Sequence, residues 1–133
     1  RTDRVIAEIA RVLRPGGRLA LMVYNRNSIT FWIDYVLYRG VVRGGLLREG
    51  PDELANRWSD GVIARHYTRA SLTRALEPAF ETIETRVMGQ MSEAVPLPRR
   101  LRRFVAPLVP RRAQEALLRR AGWFLVATAR RRA

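Results

Sequence analysis

The sequence contains no cysteine and no lysine, and its single histidine is His66. The lack of cysteine excludes disulfides, thiolate metal ligands and cysteine nucleophiles. One histidine and few clustered carboxylates argue against a metal site. No apolar run reaches the roughly 20 residues that a membrane-spanning helix needs, and the first residues lack the pattern of a secretion signal. These absences predict a cytoplasmic protein that is at most peripheral to a membrane.

Positive charge is carried by arginine alone. Twenty-five arginines stand against 12 acidic residues, which gives a formal net charge of +13. Arginine without lysine, beside abundant alanine, leucine, valine and glycine, is typical of a GC-rich coding sequence, so part of the excess needs no functional explanation. The charge still attracts anionic partners through its long-range field. The length of 133 residues and the 47% hydrophobic content predict one folded α/β domain.

The clearest local pattern spans residues 8–21 (EIARVLRPGGRLAL). Val5, Ile6, Ile9, Val12 and Leu13 recur at helical spacing, which predicts an amphipathic helix. The proline that follows ends this helix, and the Pro-Gly pair suits the centre of a type II turn. Residues 19–23 are all apolar, which is typical of a strand buried on both faces.

Further elements follow from spacing and breakers. The sequence predicts helices over 29–42, from Pro51, from Thr68 or Ser71 to near Pro78, and around 99–105 and 111–120. Alternation predicts a strand at Phe80–Met88, and a final strand covers residues 123–129. The predicted helical insertions are therefore about 29–64 and 90–118, within a single unit of residues 1–133.

The helix, Pro-Gly-Gly turn and buried strand of residues 8–21, together with the helix–strand–strand ending, resemble the late part of class I S-adenosylmethionine-dependent methyltransferases of the type 11 kind. The residues MVYNRNS (22–28) and RHYTR (65–69) resemble a bacterial subgroup. The resemblance implies a partial Rossmann-like sheet of the family's last three strands, Arg18–Tyr24, Phe80–Met88 and Gly122–Arg130. The final strand would run antiparallel between the other two.

The resemblance implies S-adenosylmethionine as cofactor, but the family's glycine-rich turn and ribose-binding acid have no counterpart here. Gly16-Gly17 precedes a strand and Gly44-Gly45 lies in an insertion, so no residue inherits a cofactor contact. We therefore expect the C-terminal half of a longer enzyme, inactive alone, that methylates a small-molecule acceptor. Its first strand would present an unpaired apolar edge, so we expect the isolated chain to self-associate.

The acceptor site is predicted beyond the carboxyl end of the first strand, where ligands of open α/β sheets bind. His66 is the candidate general base, because its charge changes near neutral pH; a local structural role is the alternative. The aromatic helix that contains Trp32 either covers the acceptor or packs in the core. The candidate substrate-binding residues are Tyr24, Asn25, Arg26, Asn27, Ser28, Trp32 and Tyr67. The alternative for residues 24–28 is a hydrogen-bonded loop that only starts the next helix, and the alternative for Tyr67 is packing beneath the helix that follows it.

A different function is a stand-alone basic module that binds nucleic acid or an anionic membrane. Arginines 99, 100, 102 and 103 flank apolar residues at helical spacing, and a basic amphipathic helix of this kind can lie on an anionic bilayer. Nucleic acid is the less favoured partner. A solvated face is the structural alternative for this run of arginines. A third possibility for the whole chain is an unrelated small α/β domain, whose sheet would lack an antiparallel final strand.

Overall fold

The computed structural model describes residues 2–53, 65–91, 94–95 and 103–133. The fold is mixed α/β. Its helices are α1 (Thr2–Val12), a π-helix (Thr30–Val42), α2 (Arg69–Leu76) and α3 (Arg111–Ala121), with short 3₁₀ turns at Gly45–Leu47 and Ala106–Leu108. Its strands are β1 (Arg18–Asn25), β2 (His66–Tyr67), β3 (Phe80–Met88) and β4 (Phe124–Arg131).

The four strands form one sheet in the order β2-β1-β4-β3. Strand β4 pairs antiparallel with both β1 and β3, while β2 pairs parallel with β1. Strands β1, β2 and β3 consequently run in one direction and β4 runs against them. The three longer strands match the predicted ones to within two residues at each end, and the predicted antiparallel position of the last strand is confirmed.

Helix α1 is joined to β1 by the predicted turn. The amide of Gly17 donates to the carbonyl of Arg14, and Gly16 has φ +72°, as the third position of a type II turn requires. The end of β4 holds this turn in place, because the Arg131 guanidinium donates to the carbonyl of Leu13. The apolar face of α1 differs from the prediction at two positions. Val5 and Val12 are exposed.

Strand β3 contains an irregularity that the alternation did not predict. Its register against β4 shifts between Glu81 and Glu84, and Thr82 has φ +51°. The extra residue reverses the parity of the strand, so that Phe80 and Val87 are both buried although they are an odd number of residues apart. Positive φ is rare for a β-branched residue, so Thr82 is a strained position.

The main core lies on one face of the sheet, beneath α1 and α2. Its buried members are Ile6, Leu72, Leu76, Phe80, Val87, Leu125, Ala127 and Ala129. Leu19, Leu21 and Val23 of β1 pack against this core and are only half-buried. Ala20 and Met22 point to the other face and are exposed. The prediction that β1 is buried on both faces is therefore wrong for the described residues.

The predicted helix over 29–42 exists, but it is a π-helix. Its last turn shows the wider winding, since the amide of Arg43 bonds to the carbonyl of Tyr38, five residues earlier. The 3₁₀ turn at Gly45–Leu47 folds back on this helix at Gly40. A Cβ atom there would lie 2.7 Å from Cγ of Leu46, so the close approach requires glycine.

Several other predicted helices can be compared with the structure. Thr68 caps α2, with Ser71 completing a capping box, and α3 matches the predicted helix at 111–120. Residues 51–53 are helical, as are residues 103–105, whereas the rest of the predicted helix at 99–105 lies outside the described residues. None of the described helices is long and apolar enough to cross a bilayer.

Candidate functional site

An aromatic cluster forms where β1 ends. Its rings belong to Tyr24, Phe31, Tyr35, His66, Trp123 and Phe124. The ring centroid of His66 lies 5.5 Å from Tyr24, 5.1 Å from Phe31 and 5.3 Å from Trp123. These distances are typical of packed aromatic pairs. The imidazole of His66, on β2, is therefore surrounded by rings from three other segments: β1, the π-helix and the start of β4.

Asn25 fixes the turn that follows β1. Its side chain donates from Nδ2 to the carbonyl of Gly122 at 2.9 Å and accepts at Oδ1 from the amide of Asn27 at 3.0 Å. Its own amide donates to the carbonyl of Trp123 at 2.7 Å. Asn25 is only 2% exposed, so these bonds satisfy an amide that water cannot reach. Asn25 thereby ties the end of β1 to the start of β4.

Ser28 has a similar local role. It is fully buried, and its Oγ accepts from the amide of Phe31 at 3.1 Å, which starts the π-helix. A hydroxyl or amide that bonds to nearby backbone in this way directs the chain out of a strand and into a turn. The predicted binding residues Asn25 and Ser28 thus shape the loop from within.

A cavity of about 450 Å³ opens beside this loop. It lies at the carboxyl ends of the parallel strands β1 and β2, the edge where ligands of open α/β sheets bind. Its lining consists of Arg26, Asp52, Arg65, His66, Tyr67, Thr68 and Ser71. Three of these residues, Arg26, His66 and Tyr67, were predicted from the sequence as site residues.

Arg26 and Asp52 form an ion pair across the cavity, with 3.2 Å between Nη2 and Oδ2. The Arg26 guanidinium also lies 5.8 Å from the centroid of the Phe31 ring, within cation–π range. Its amide donates to the carbonyl of Tyr67 at 3.0 Å, which closes the gap between β1 and β2. With Arg65 at the rim, two guanidinium groups and one carboxylate give the lining an excess of one positive charge.

His66 is held neutral by its surroundings. Burial in the aromatic cluster lowers the pKa of His66; Asp52 opposes this shift, and the positive charge of Arg26 adds to it. Both ring nitrogens are shielded from water, and within the described part of the chain neither has a hydrogen-bond partner. The neutral imidazole has the protonation state of a base, but its nitrogens are not presented to the cavity. Its role as general base stays a prediction.

The hydroxyls in the lining are already engaged. Thr68 Oγ1 accepts from the amide of Ser71, and Ser71 Oγ accepts from the amide of Thr68. The Tyr67 hydroxyl lies 3.0 Å from Oγ1 of Thr2, which also accepts from Arg65 at 2.7 Å. The charged groups of Arg26, Asp52 and Arg65 are therefore the strongest groups offered to a polar small molecule.

The structure brings only some of the predicted residues together. Tyr24 lies in the aromatic cluster, Asn27 is exposed in the turn, and Trp32 is exposed on the π-helix, so none of these three lines the cavity. The sequence prediction missed Asp52 and Arg65 as cavity residues. Asp52 follows Pro51 at the start of a predicted helix, and no spacing rule connects it to Arg26 across 26 residues.

S-adenosylmethionine, the cofactor implied by the resemblance, does not fit the described residues alone. The glycines with positive φ are Gly16 and Gly44, and both lie in turns away from the cavity lining. Among the described residues, no glycine-rich cradle therefore borders the cavity. Nor do three or more metal-ligating side chains converge anywhere in the described ranges.

Comparison with known proteins does not identify a relative: the chain matches no protein-family model and no curated protein.

The predicted membrane contact at residues 99–103 falls mainly outside the described residues. Only Arg103 of that set is described, and its guanidinium stacks over Phe104 at 4.6 Å from the ring centroid.

Proposed function

We propose that this chain is the acceptor-binding and sheet-completing half of a class I S-adenosylmethionine-dependent methyltransferase. The observation that carries the proposal is the strand order, with β4 inserted antiparallel between β1 and β3 in an otherwise parallel sheet. The same arrangement is the one that the resemblance of residues 8–21 implies. The position of the cavity at the carboxyl ends of β1 and β2 also supports it.

In this proposal the cavity binds the methyl acceptor. Methyl transfer from a sulfonium is an in-line displacement, so positioning of the acceptor supplies much of the catalysis. The Arg26 guanidinium pairs with Asp52 and lies near the Phe31 ring, while its side chain stays 43% exposed and open to an acceptor. A guanidinium in this position is suited to orient a polar group of the acceptor by paired hydrogen bonds.

The edge of the sheet supports a further part of the proposal. β2 pairs with β1 only at Tyr24 and Asn25, so over residues 18–23 the outer edge of β1 has no strand partner among the described residues. An unpaired strand edge of this length readily accepts another strand. We assign this edge to the cofactor-binding half, which would continue the sheet beyond β1. Without that half we expect self-association and no methyl transfer.

The test starts from the coding DNA upstream of the Arg1 codon. We expect an in-frame extension of about one hundred residues that contains a strand followed by a glycine-rich turn. The protein with this extension should bind S-adenosylmethionine in calorimetry, and the 133-residue chain should not. It should also transfer a tritiated methyl group to a component of a small-molecule extract from the source.

Arg26→Gln in the longer protein should lower kcat/KM for that component by about tenfold, because the variant loses a charged hydrogen-bond donor. Arg11→Gln is the matched control, since Arg11 is exposed on α1 and forms only a local ion pair with Glu8. An upstream sequence without the glycine-rich turn, or a longer protein that does not bind the cofactor, would refute the proposal.

A further inference from the structure

The π-helix and the 3₁₀ turn after it expose an unusual number of large apolar side chains. We call this set the outer apolar surface: Trp32, Ile33, Leu37, Tyr38, Val41, Val42 and Leu47. Leu47 is 90% exposed and Val42 is 68% exposed. Single exposed apolar residues are ordinary on a protein surface, but a contiguous set in one short segment marks an interaction site.

The opposite side of the same helix is also apolar. Phe31 and Tyr35 are buried there and belong to the aromatic cluster. A helix on the surface of a protein in water usually carries polar residues on its outer side. Here the helix is apolar on both sides, so packing among the described residues does not explain the outer apolar surface.

Positive charge borders this surface. Arg43 and Arg48 are exposed beside Val42 and Leu47, and Arg39 is bonded to Asp34. Three arginines and two carboxylates in residues 30–49 leave one local positive charge, to which the formal net charge of +13 of the whole chain adds a longer-range attraction. Binding should therefore come mainly from apolar burial, with charge selecting an anionic partner.

The residue types favour a bilayer over another protein. Trp32 and Tyr38 lie among the aliphatic residues, and these two types are enriched where membrane proteins meet the headgroup layer. Exposed leucine and valine supply apolar area that can be buried in the bilayer, and the neighbouring arginines supply attraction to anionic headgroups. These two contributions hold a helix in the plane of an anionic bilayer. We propose that the outer apolar surface binds to the surface of an anionic lipid bilayer without crossing it.

The proposal differs from the membrane contact predicted at residues 99–103, and it holds whether or not the chain takes part in methyl transfer. It is tested with the 133-residue chain by flotation with vesicles of phosphatidylcholine, alone or mixed with phosphatidylserine, because self-associated chain sediments by itself but does not float with the lipid. We expect clear binding to the mixed vesicles and at least about fivefold weaker binding to phosphatidylcholine alone. The difference in binding between the mixed vesicles and phosphatidylcholine alone should shrink at high salt, because salt screens the attraction between charges.

Two matched double variants locate the surface. Val42→Ser with Leu47→Ser should weaken binding to the mixed vesicles by about tenfold, since two apolar side chains no longer insert. Val12→Ser with Leu108→Ser makes the same chemical changes at sites that are 69% and 80% exposed, and it should change binding less than twofold. Circular dichroism and the thermal midpoint confirm that both variants fold.

Fluorescence quenching by lipids with brominated acyl chains gives a direct readout. Trp32 should supply most of the quenching, so Trp32→Phe should abolish most of it. Equal loss of binding in both double variants, or quenching that persists in Trp32→Phe, would overturn the proposal. A third result would also overturn the proposal: the Val42/Leu47 variant forms smaller particles in light scattering but binds vesicles as the unchanged chain does. The outer apolar surface would then bind a second copy of the chain and not a bilayer.

Discussion

The main core and the aromatic cluster are built in different ways, although β1 and β4 contribute to both. The main core joins aliphatic side chains of α1 and α2 to one face of the sheet, and its buried members are all apolar. The aromatic cluster surrounds an imidazole and lies beside a fully buried asparagine and serine. The first arrangement serves stability alone, whereas the second combines packing with polar groups that have to be placed accurately.

This difference coincides with the position of the cavity. The loop anchored by Asn25 carries Arg26 into the cavity, and His66 belongs both to the cluster and to the lining. Buried polar groups cost stability unless each one finds a partner. This region retains them at the carboxyl end of the sheet, beside the ion pair of Arg26 with Asp52, where the proposed function places the acceptor.

The largest expected effect tests the main core. Leu72 is 1% exposed beneath the sheet, and Leu72→Ala should lower the free energy of unfolding by about 3 kcal/mol, from lost burial and the cavity left behind. Leu47→Ala, at an exposed leucine, should change it by less than about 0.5 kcal/mol. Urea denaturation followed by circular dichroism measures both. A loss below about 1 kcal/mol for Leu72→Ala would mean that this face is not the core.

The next effect tests whether polar groups really order the site. Asn25→Ala should lower the free energy of unfolding by about 2 kcal/mol, because it leaves the Gly122 carbonyl and the Asn27 amide without their partner. Asn27→Ala makes the same change at an exposed side chain and should cost less than about 0.5 kcal/mol. The same urea titration compares the two. If they cost equal amounts, the buried hydrogen bonds of Asn25 do not exist in solution.

The main core could be predicted from the sequence because it follows local periodicity. The spacing of Leu72 and Leu76 and the apolar residues of α1 each indicate a buried face without knowledge of the rest of the chain. The predicted strands are confirmed for the same reason. Periodicity failed where the pairing of two strands is irregular. In β3 one extra residue near Thr82 shifts the register against β4 and reverses the alternation of buried and exposed side chains.

The site could be predicted only in part. The loop after β1 is predicted because the end of an apolar strand is recognisable in the sequence, and His66 because it is the single histidine; the short strand at His66–Tyr67 is not predicted. The ion pair of Arg26 with Asp52 and the contact of His66 with Trp123 join residues far apart in the chain, and no repeat or spacing connects them. Whether a polar residue such as Asn25 points into the cavity or into the protein also depends on those distant partners.

The smallest expected effect concerns His66 and depends on pH. In the unfolded chain His66 binds a proton with a pKa near its usual value of about 6.5, whereas burial lowers its pKa in the folded protein. The unfolded state therefore binds more protons in this range, so the free energy of unfolding falls as the pH drops below about 6.5. The free energy of unfolding stops falling on this account once the pH is below the pKa of His66 in the folded protein.

His66→Phe removes this proton uptake and keeps an aromatic ring in the cluster. The difference in free energy of unfolding between His66→Phe and the unchanged protein should therefore grow in favour of the variant between about pH 7.5 and 5.5. Urea denaturation across this range measures it, and the titration of other groups cancels in the difference. Asp52→Asn should extend the range to lower pH, since Asp52 raises the pKa of His66. A constant difference would mean that the pKa of His66 is the same in the folded and the unfolded chain, so that the aromatic cluster does not disfavour the protonated imidazole.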